Sequence, residues 1–518
     1  MESRWSQLNW GDITKRVLRI QKQIYERTLE GKEVHELQRV LTGLFEAKLL
    51  AVRRVTQDNQ GKKAGIDGIK SLSSNKRWEL ARNLEIDGKS DKVKRVWIPK
   101  NNSNELRPLG IPTIRDRAKQ ALALLALEPE WEAKFEPNSY GFRPGRSTLD
   151  AIEAIHSSIN KKPKYVLDGD IRKCFDRINH EQLLLKLNIF PKMERQVRAW
   201  LKAGIVDGSS ELFPTEGTPQ GGVISPLLSN IALHGMEEML LKWIETIPAY
   251  NPGGTILSKS ARRSRLTFVR YADDFVVLHP ELEIIKEAKE RISKWLEPMG
   301  LELHPDKTSI KHTFLEKPGF NFLGFWIRNY PVQRREEGKR RSGYKTYIRP
   351  HPDNISRFLS EVRKVLVSTR DVKVVVQRLN PIIMGWSNYF RTTASKSTFT
   401  SIDKVLMTKL MNWARKKHPR RDQEWVRNKY LHLDGNRKRF GYLLGETLVG
   451  LKYCAETAIV RHKKVTGKAS PYDGNWIYWT LRGRDIANRR VSLQTLIRPA
   501  VKKENAPGVD YTSLLWIA

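Results

Sequence analysis

Leu266-Thr267-Phe268-Val269-Arg270-Tyr271-Ala272-Asp273-Asp274-Phe275-Val276-Val277-Leu278 is the stretch on which the reading of this chain turns. Two apolar, strand-forming runs flank Tyr271-Ala272-Asp273-Asp274, and the pattern predicts a β-hairpin carrying two adjacent carboxylates at its tip. Fixed carboxylates on a rigid ribbon suit magnesium, which takes hard oxygen ligands and commonly shares them with substrate phosphates. An Asp-Asp pair taken alone is ordinarily a solvated turn. Its meaning therefore depends on what surrounds it.

The chain has 518 residues, enough for roughly two to four domains, with ample apolar content for folded cores. Lys and Arg number 93 against 57 Asp and Glu, a formal charge of +36 that favours a polyanionic partner. Residues 335–518 hold 38 basic and 15 acidic side chains, so 23 of those surplus charges fall in this last part. Aromatic residues interleave with the cations there, and bases stack on rings while phosphates meet Lys and Arg, so nucleic acid is the expected partner. Cys174 and Cys454 stand far apart without a CxxC pattern, so neither a disulfide framework nor a cysteine zinc site is indicated. The start lacks an apolar signal core, and the longest apolar run, Ala121 to Leu127, is too short for a bilayer. These features predict a soluble intracellular protein with no membrane partner.

Apolar spacing predicts two helices between residues 12 and 57, split at Glu30-Gly31-Lys32, and a helix from Asp116 to Glu128. Tyr165 to Ile171 reads as a buried strand ending in polar groups, followed by a helix from His180. Pro248 to Arg265, rich in Gly, Ser and Arg, reads as a flexible loop. An amphipathic helix is predicted over 284–299, a strand or hairpin over Gly319 to Ile327, and a charged linker over Gln333 to Lys345. Helical periodicity returns in 356–367, 372–378 and 402–417, and the last hundred residues are less periodic.

Nucleotidyl transfer usually needs a third carboxylate from another strand. Asp170 is the candidate, with Asp168 competing because it shares a strand face at period two. At this point a resemblance becomes specific. Asp170 with Tyr271-Ala272-Asp273-Asp274 resembles the palm of reverse transcriptases, and the surrounding blocks resemble the group II intron-encoded reverse transcriptase and maturase family. The blocks run in that family's order: Gly65-Ile66-Asp67-Gly68, Ile98-Pro99-Lys100, Arg107-Pro108-Leu109-Gly110-Ile111-Pro112, Asn138 to Ser147, Gly217 to Pro226, and Phe322-Leu323-Gly324-Phe325. Leu379 to Phe390 and Trp413 to Pro419 resemble its helical thumb, or maturase region.

The resemblance implies an α+β right-hand polymerase with fingers and palm built of antiparallel sheet and helices, then a helical thumb and a basic C-terminal segment. The expected boundaries are a helical extension over 1–60, fingers and palm over 61–332, thumb or maturase domain over 346–440, and a possible DNA-binding segment over 441–518. It implies that Asp170, Asp273 and Asp274, with Ile171, hold two magnesium ions, for which manganese can substitute. Lys100, Arg107, Phe175, Gln220, Gly221 and Lys307 fall at nucleotide-facing positions. Lys100 and Arg107 are also spaced to put two cations on one hairpin, suited to a triphosphate. Phe175 matches the ring that excludes a 2′-hydroxyl, though a core Phe is the simpler reading of the residue itself.

Arg143, Arg146, Trp386, Arg415, Lys416 and Lys417 are candidate RNA contacts. The match weakens after about residue 440. No Cys- and His-containing nuclease pattern follows, so second-strand cleavage by this chain is not expected. Arg482, Arg484, Arg489 and Arg490, near Trp476 and Trp479, are candidate DNA contacts.

The implied activity is RNA-directed DNA synthesis from deoxynucleoside triphosphates on an RNA template, from a DNA primer or target. The chain would also bind its structured intron RNA, promote splicing and copy the inserted intron during retrohoming. Alternatives are an RNA-binding maturase only, or a domesticated reverse transcriptase in repair or phage defence. The expected location is the cytoplasm, in a bacterial cytosol or nucleoid, with an organelle as the alternative. Nothing in the sequence specifies an oligomer.

Overall fold

The computed structural model describes residues 4–58, 63–99, 106–160, 162–218, 220–315, 318–332 and 343–488, with backbone alone from residue 484. They fall into two compact units. The first comprises residues up to Ala151, then Leu167–Ser309, and the chain from Val465; the second comprises Ile152–Val166 and Ile310–Lys464.

In the first unit a helix over Ile114–Lys134 forms the centre. Thr113 Oγ1 accepts the Asp116 amide at 3.2 Å and starts it, and Ala and Leu then recur so densely that nearly every side is buried, as in a helix enclosed on all faces. Three helices cover it: Trp10–Leu29, His35–Gly43 and Phe45–Arg53. The first is capped by Asn9, whose Oδ1 accepts the Gly11 amide at 3.1 Å. The sequence pattern predicts two helices here, but the chain breaks again at Leu44, whose extended backbone separates the second from the third.

The strands are β1 (Val93–Pro99), β2 (Leu106–Ile111), β3 (Tyr165–Asp170), β4 (Ile205–Asp207), β5 (Ser210–Leu212), β6 (Thr267–Tyr271), β7 (Asp274–His279) and β8 (Ser309–His312). One sheet has the order β2-β1-β4-β5 and another the order β6-β7-β3-β8. β6 and β7 pair antiparallel with Tyr271 opposite Asp274, so only Ala272 and Asp273 form the turn, as the flanking runs predict. The predicted flexible loop before this hairpin contains a short helix, Lys259–Arg265, started by Ser258 Oγ accepting the Ala261 amide.

The second unit carries β9 (Phe320–Phe322), β10 (Phe325–Pro331) and β11 (Tyr344–Pro350) in the order β11-β10-β9. The turn between β9 and β10 is Leu323-Gly324, both with positive φ (49° and 83°), the geometry a tight hairpin requires. Helices follow over Pro352–Ser368, Val372–Phe390 and Lys396–Lys417, then a shorter one over Gln423–Tyr430. The second of them runs twelve residues beyond the predicted end at Arg378, carrying Pro381 within it. Phe358, Val362, Leu379, Ile383, Phe390, Phe399 and Leu410 form the core of the bundle. A meander of β12 (Leu431–Asp434), β13 (Arg437–Leu444) and β14 (Thr447–Gly450) completes the unit. Among the described residues, no helix is long and apolar enough to cross a membrane.

Candidate active site

Asp170 ends β3, the strand next to β7, and the sheet therefore sets it beside the carboxylates of the β6–β7 turn. The chain beyond Asp170 is pinned. Ile171 bridges Leu303, the Arg172 amide donates to the Glu302 carbonyl at 2.9 Å, and the His304 amide donates to the Asp170 carbonyl at 2.8 Å. That pairing brings in Lys307, whose Nζ lies 2.9 Å from Asp170 Oδ2.

The three acids share one field. Burial raises Asp273, Asp170 adds to the rise, and Arg107 and Lys307 oppose it. Asp274 is pushed up to about 7, first by loss of solvation, then by the negative charges of Asp273, Asp170 and Asp168. The site thus holds more negative charge than its own cations balance, and hard oxygens carry that charge, which is the donor chemistry a divalent cation requires. Among the described residues no three acidic, His or Cys side chains converge closely enough to hold a metal as they stand. Asp170 turns instead to the Lys307 ammonium.

Ala272 takes a left-handed backbone, φ 57°, which costs a non-glycine residue on the order of 1–2 kcal/mol. Its surroundings enforce it. Arg270, 1% exposed, donates from Nη1 to the Ala272 carbonyl at 3.1 Å and to Asn230 Oδ1 at 3.0 Å, while Asn230 Nδ2 donates to the Gly141 carbonyl at 2.8 Å. Gly141 abuts the turn so closely that an added Cβ would stand 2.3 Å from the Ala272 nitrogen. Gly141→Ala is therefore expected to displace the turn and cost on the order of 1–3 kcal/mol of stability in urea unfolding. Unchanged stability in this variant would show that the contact does not hold the turn.

The Asn138–Ser147 block, whose Arg143 and Arg146 the sequence offers as RNA contacts, forms the buried support of this hairpin. Arg143, 1% exposed, meets both oxygens of Glu132 at 2.8 and 2.9 Å and donates to the Glu136 and Ser139 carbonyls. Arg146, 3% exposed, donates to the Pro137, Gly467 and Ala469 carbonyls. Neither guanidinium faces outward. Glu237 lies beneath the same block, accepting from Asn138 Nδ2 at 2.7 Å through Oε1, with Oε2 buried and unpartnered. Burial pushes it up to about 7. The folded state thus keeps a proton that the unfolded chain has released. This contribution to stability is complete below about pH 4.5 and is lost as pH rises to about 7, on the order of 3 kcal/mol. Glu237→Gln is expected to flatten that part of the stability–pH curve measured by urea unfolding, and an unaltered slope would refute the assignment.

A cleft of about 170 Å³ lies beside Asp176, lined by Arg95, Gly110, Gly217, Thr218 and Gln220 among others. Gly221 (φ 113°) passes so close to β2 that a Cβ there would meet the Gly110 carbonyl at 2.6 Å, and the Gly110 amide donates to the Gln220 carbonyl. Gln220 Nε2 is 3.4 Å from Asp176 Oδ1. Phe175, half-buried, meets Phe142 edge-on at 6.3 Å. Arg107 on β2 is exposed and acts electrostatically on Asp273, whereas Lys100 lies outside the described residues. Arg95, Arg270 and Asn230 escaped the sequence reading: a cation on an inner strand of a small sheet and polar residues inside apolar runs have no local signature.

In the second unit Trp386 packs against the rings of Phe358, Phe390 and Phe399, as a core residue does. Trp413 is buried and donates to the Thr369 carbonyl at 3.0 Å. Arg415 and Lys416 are exposed and Lys417 is half-buried over the Trp413 ring.

Arg482, expected as a DNA contact, instead folds back onto the first unit. Its Nη2 lies 2.7 and 2.8 Å from the two oxygens of Asp150, which is fully buried. Nearby, Tyr472 donates to Glu128, and Trp479 fills the space over Gly145, where a Cβ would come within 2.4 Å of its ring. Arg484 has no described side chain, and Arg489 and Arg490 lie outside the described residues.

Comparison with known proteins follows the same order along the chain. Residues 5–84 match the N-terminal domain of reverse transcriptase, residues 98–327 match reverse transcriptase (RNA-dependent DNA polymerase), and residues 355–431 match the group II intron, maturase-specific domain. Protein YkfC of Escherichia coli (strain K12) is 32% identical over 319 residues, covering 56% of this chain and 82% of that protein. Group II intron-encoded protein LtrA of Lactococcus lactis is 29% identical over 331 residues, and the match spans only about half of either chain, 54% of each. Maturase-like protein 1 of Euglena gracilis is 25% identical over 405 residues, 76% of this chain and 79% of that protein. The acids brought together by β3 and the β6–β7 hairpin all lie in the polymerase match, the helical bundle lies in the maturase match, and the chain belongs to the reverse transcriptase and maturase family of group II intron-encoded proteins.

Proposed function

We propose that the chain is an RNA-directed DNA polymerase of group II intron type. The supporting observation is the shared field of Asp170, Asp273 and Asp274, with Asp274 pushed up to about 7 by burial first and then by the neighbouring negative charges, against which Lys307 acts. Asp170, Asp273 and Asp274, with the Ile171 carbonyl, would hold two magnesium ions, which when bound supply neutralising charge and an activated primer hydroxyl. The chain's own groups do the rest. Arg107 and Lys307 bind and orient the triphosphate of the incoming nucleotide, and their charge favours the departing pyrophosphate. The backbone at Gln220-Gly221 lets the nucleotide lie close, and the Phe175 ring beside it leaves no room for a 2′-hydroxyl. In this reading the first unit forms fingers and palm and the bundle of the second forms the thumb.

The same reading assigns intron RNA as the partner, with splicing assistance and copying of the inserted intron as its uses. Incubation with magnesium, deoxynucleotides and a DNA primer on an RNA template tests it. Extension is expected. Its absence on several templates would refute the polymerase assignment.

A further inference from the structure

Phe175 lies in the helix Cys174–Arg177, four residues long and too short to persist without help from outside. That help comes from Gly217 and Thr218 in the wall of the cleft beside Asp176. The Thr218 amide donates to the Phe175 carbonyl at 2.5 Å, and the Gly217 amide donates to the Ile178 carbonyl at 2.8 Å. The approach is close as well as bonded, for a Cβ on Gly217 (φ 85°) would stand 2.6 Å from both the carbon and the oxygen of the Asp176 carbonyl. Two consecutive amides of one loop therefore fix where the Phe175 ring stands.

A glycine-rich loop needs an anchor of its own. His180, 4% exposed, supplies one: its Nε2 lies 2.7 Å from the Gly217 carbonyl. A carbonyl oxygen only accepts, so Nε2 carries the proton and the bond fixes the tautomer. Burial holds the ring below its ordinary pKa, and it stays neutral at neutral pH. Nδ1 is buried and has no partner among the described residues. The His180–Leu187 helix does not need this ring to start, because Asn179 Oδ1 accepts the Gln182 amide at 3.1 Å and caps it. A buried ring with an unpartnered nitrogen costs stability that an apolar residue of similar size would not. What the imidazole adds is its bond to the loop that holds Phe175.

We propose that His180 is a positioning residue for nucleotide selection: by anchoring Gly217 and Thr218 it holds the Phe175 ring where that ring excludes a 2′-hydroxyl. The proposal rests on the polymerase function proposed above, in which Phe175 faces the sugar. His180 touches no substrate and acts only through the two backbone bonds of the loop.

The test is the ratio of kcat/KM for a deoxynucleoside triphosphate to that for the matching ribonucleoside triphosphate, measured with the full chain on an RNA template and DNA primer. His180→Phe keeps the ring volume and loses the donor. It is expected to lower the ratio roughly fivefold or more, mainly through a lower KM for the ribonucleotide, because a small shift of the Phe175 ring opens the space a hydroxyl needs. His180→Gln returns a donor near the Nε2 position and is expected to recover most of the ratio. A purely structural role predicts that both substrates slow together with the ratio unchanged, and that result overturns the proposal. If His180→Phe fails to fold by thermal melt, His180→Asn, whose amide is too short to keep the bond, is read in the same way. Phe175→Ala is also expected to lower the ratio, and adding His180→Phe to it should lower the ratio no further; an additive second fall overturns the route through Phe175. A ratio in Phe175→Ala equal to that of the wild type overturns the proposal together with the placement of that ring. Primer extension by the wild type with deoxynucleotides reports the polymerase reading separately, because it does not depend on the ratio.

Discussion

Asp273→Ala is expected to abolish primer extension, roughly 10³-fold or more, while leaving the thermal melt unchanged or raised. Asp273 and Asp274 both carry raised pKa values, so at neutral pH their charges burden the fold rather than support it. Removing one carboxylate relieves the other and leaves Arg270, Asn230 and Gly141 to hold the turn. Groups that act as a unit lose nearly everything when one is deleted, so the activity should collapse although the protein does not. Stability and activity moving in opposite directions is the mark of a strained functional site. Extension within tenfold of wild type would show that the hairpin acids do not carry the chemistry.

Arg482→Ala should have the largest effect on stability, about 3–5 kcal/mol, because it removes the guanidinium that meets both oxygens of a fully buried carboxylate. Asp150 also accepts the Val465 amide at 2.7 Å and the Ser147 amide and hydroxyl at 2.9 Å, and the Arg146 charge acts on it, but none of these replaces that two-oxygen contact. Asp150→Asn combined with Arg482→Met should restore most of the loss, as replacing both members of a buried pair often does. Urea unfolding of the four proteins in the cycle measures it. A melt unmoved by Arg482→Ala, accompanied by weaker DNA binding, would instead return Arg482 to the surface role its sequence context suggests.

The hairpin was legible because its information is local: alternating apolar runs, a two-residue turn and paired acids are all contained in thirteen consecutive residues. The buried strand that ends at Asp170 was legible for the same reason. The three basic residues Arg143, Arg146 and Arg482 were not. A guanidinium in a Gly- and Pro-rich loop, or on a basic terminal helix, looks exposed until its acceptors are known. Arg146 reaches carbonyls 321 and 323 residues away. No window of sequence contains both ends of such a contact.

Other misses had local signals that were outweighed. Ser258 sits as a helix cap before a run of Arg, and the Arg-rich composition favoured a loop. Gly435-Asn436 and Gly445-Glu446 join the strands of the meander, with positive φ at both glycines (58° and 61°). Those turn signals are strong. The strand between them, β13, is charged at one end and apolar at the other, which hides the alternation.

The pairing of Asp150 with Arg482 also sets a clock. A ribosome must add 332 residues after Asp150 before its partner exists, roughly 17–66 s at about 5–20 residues per second. Through that interval the nascent first unit holds an open seam where Asp150 and Gly145 await the returning chain, and a chaperone that binds such seams would meet it there.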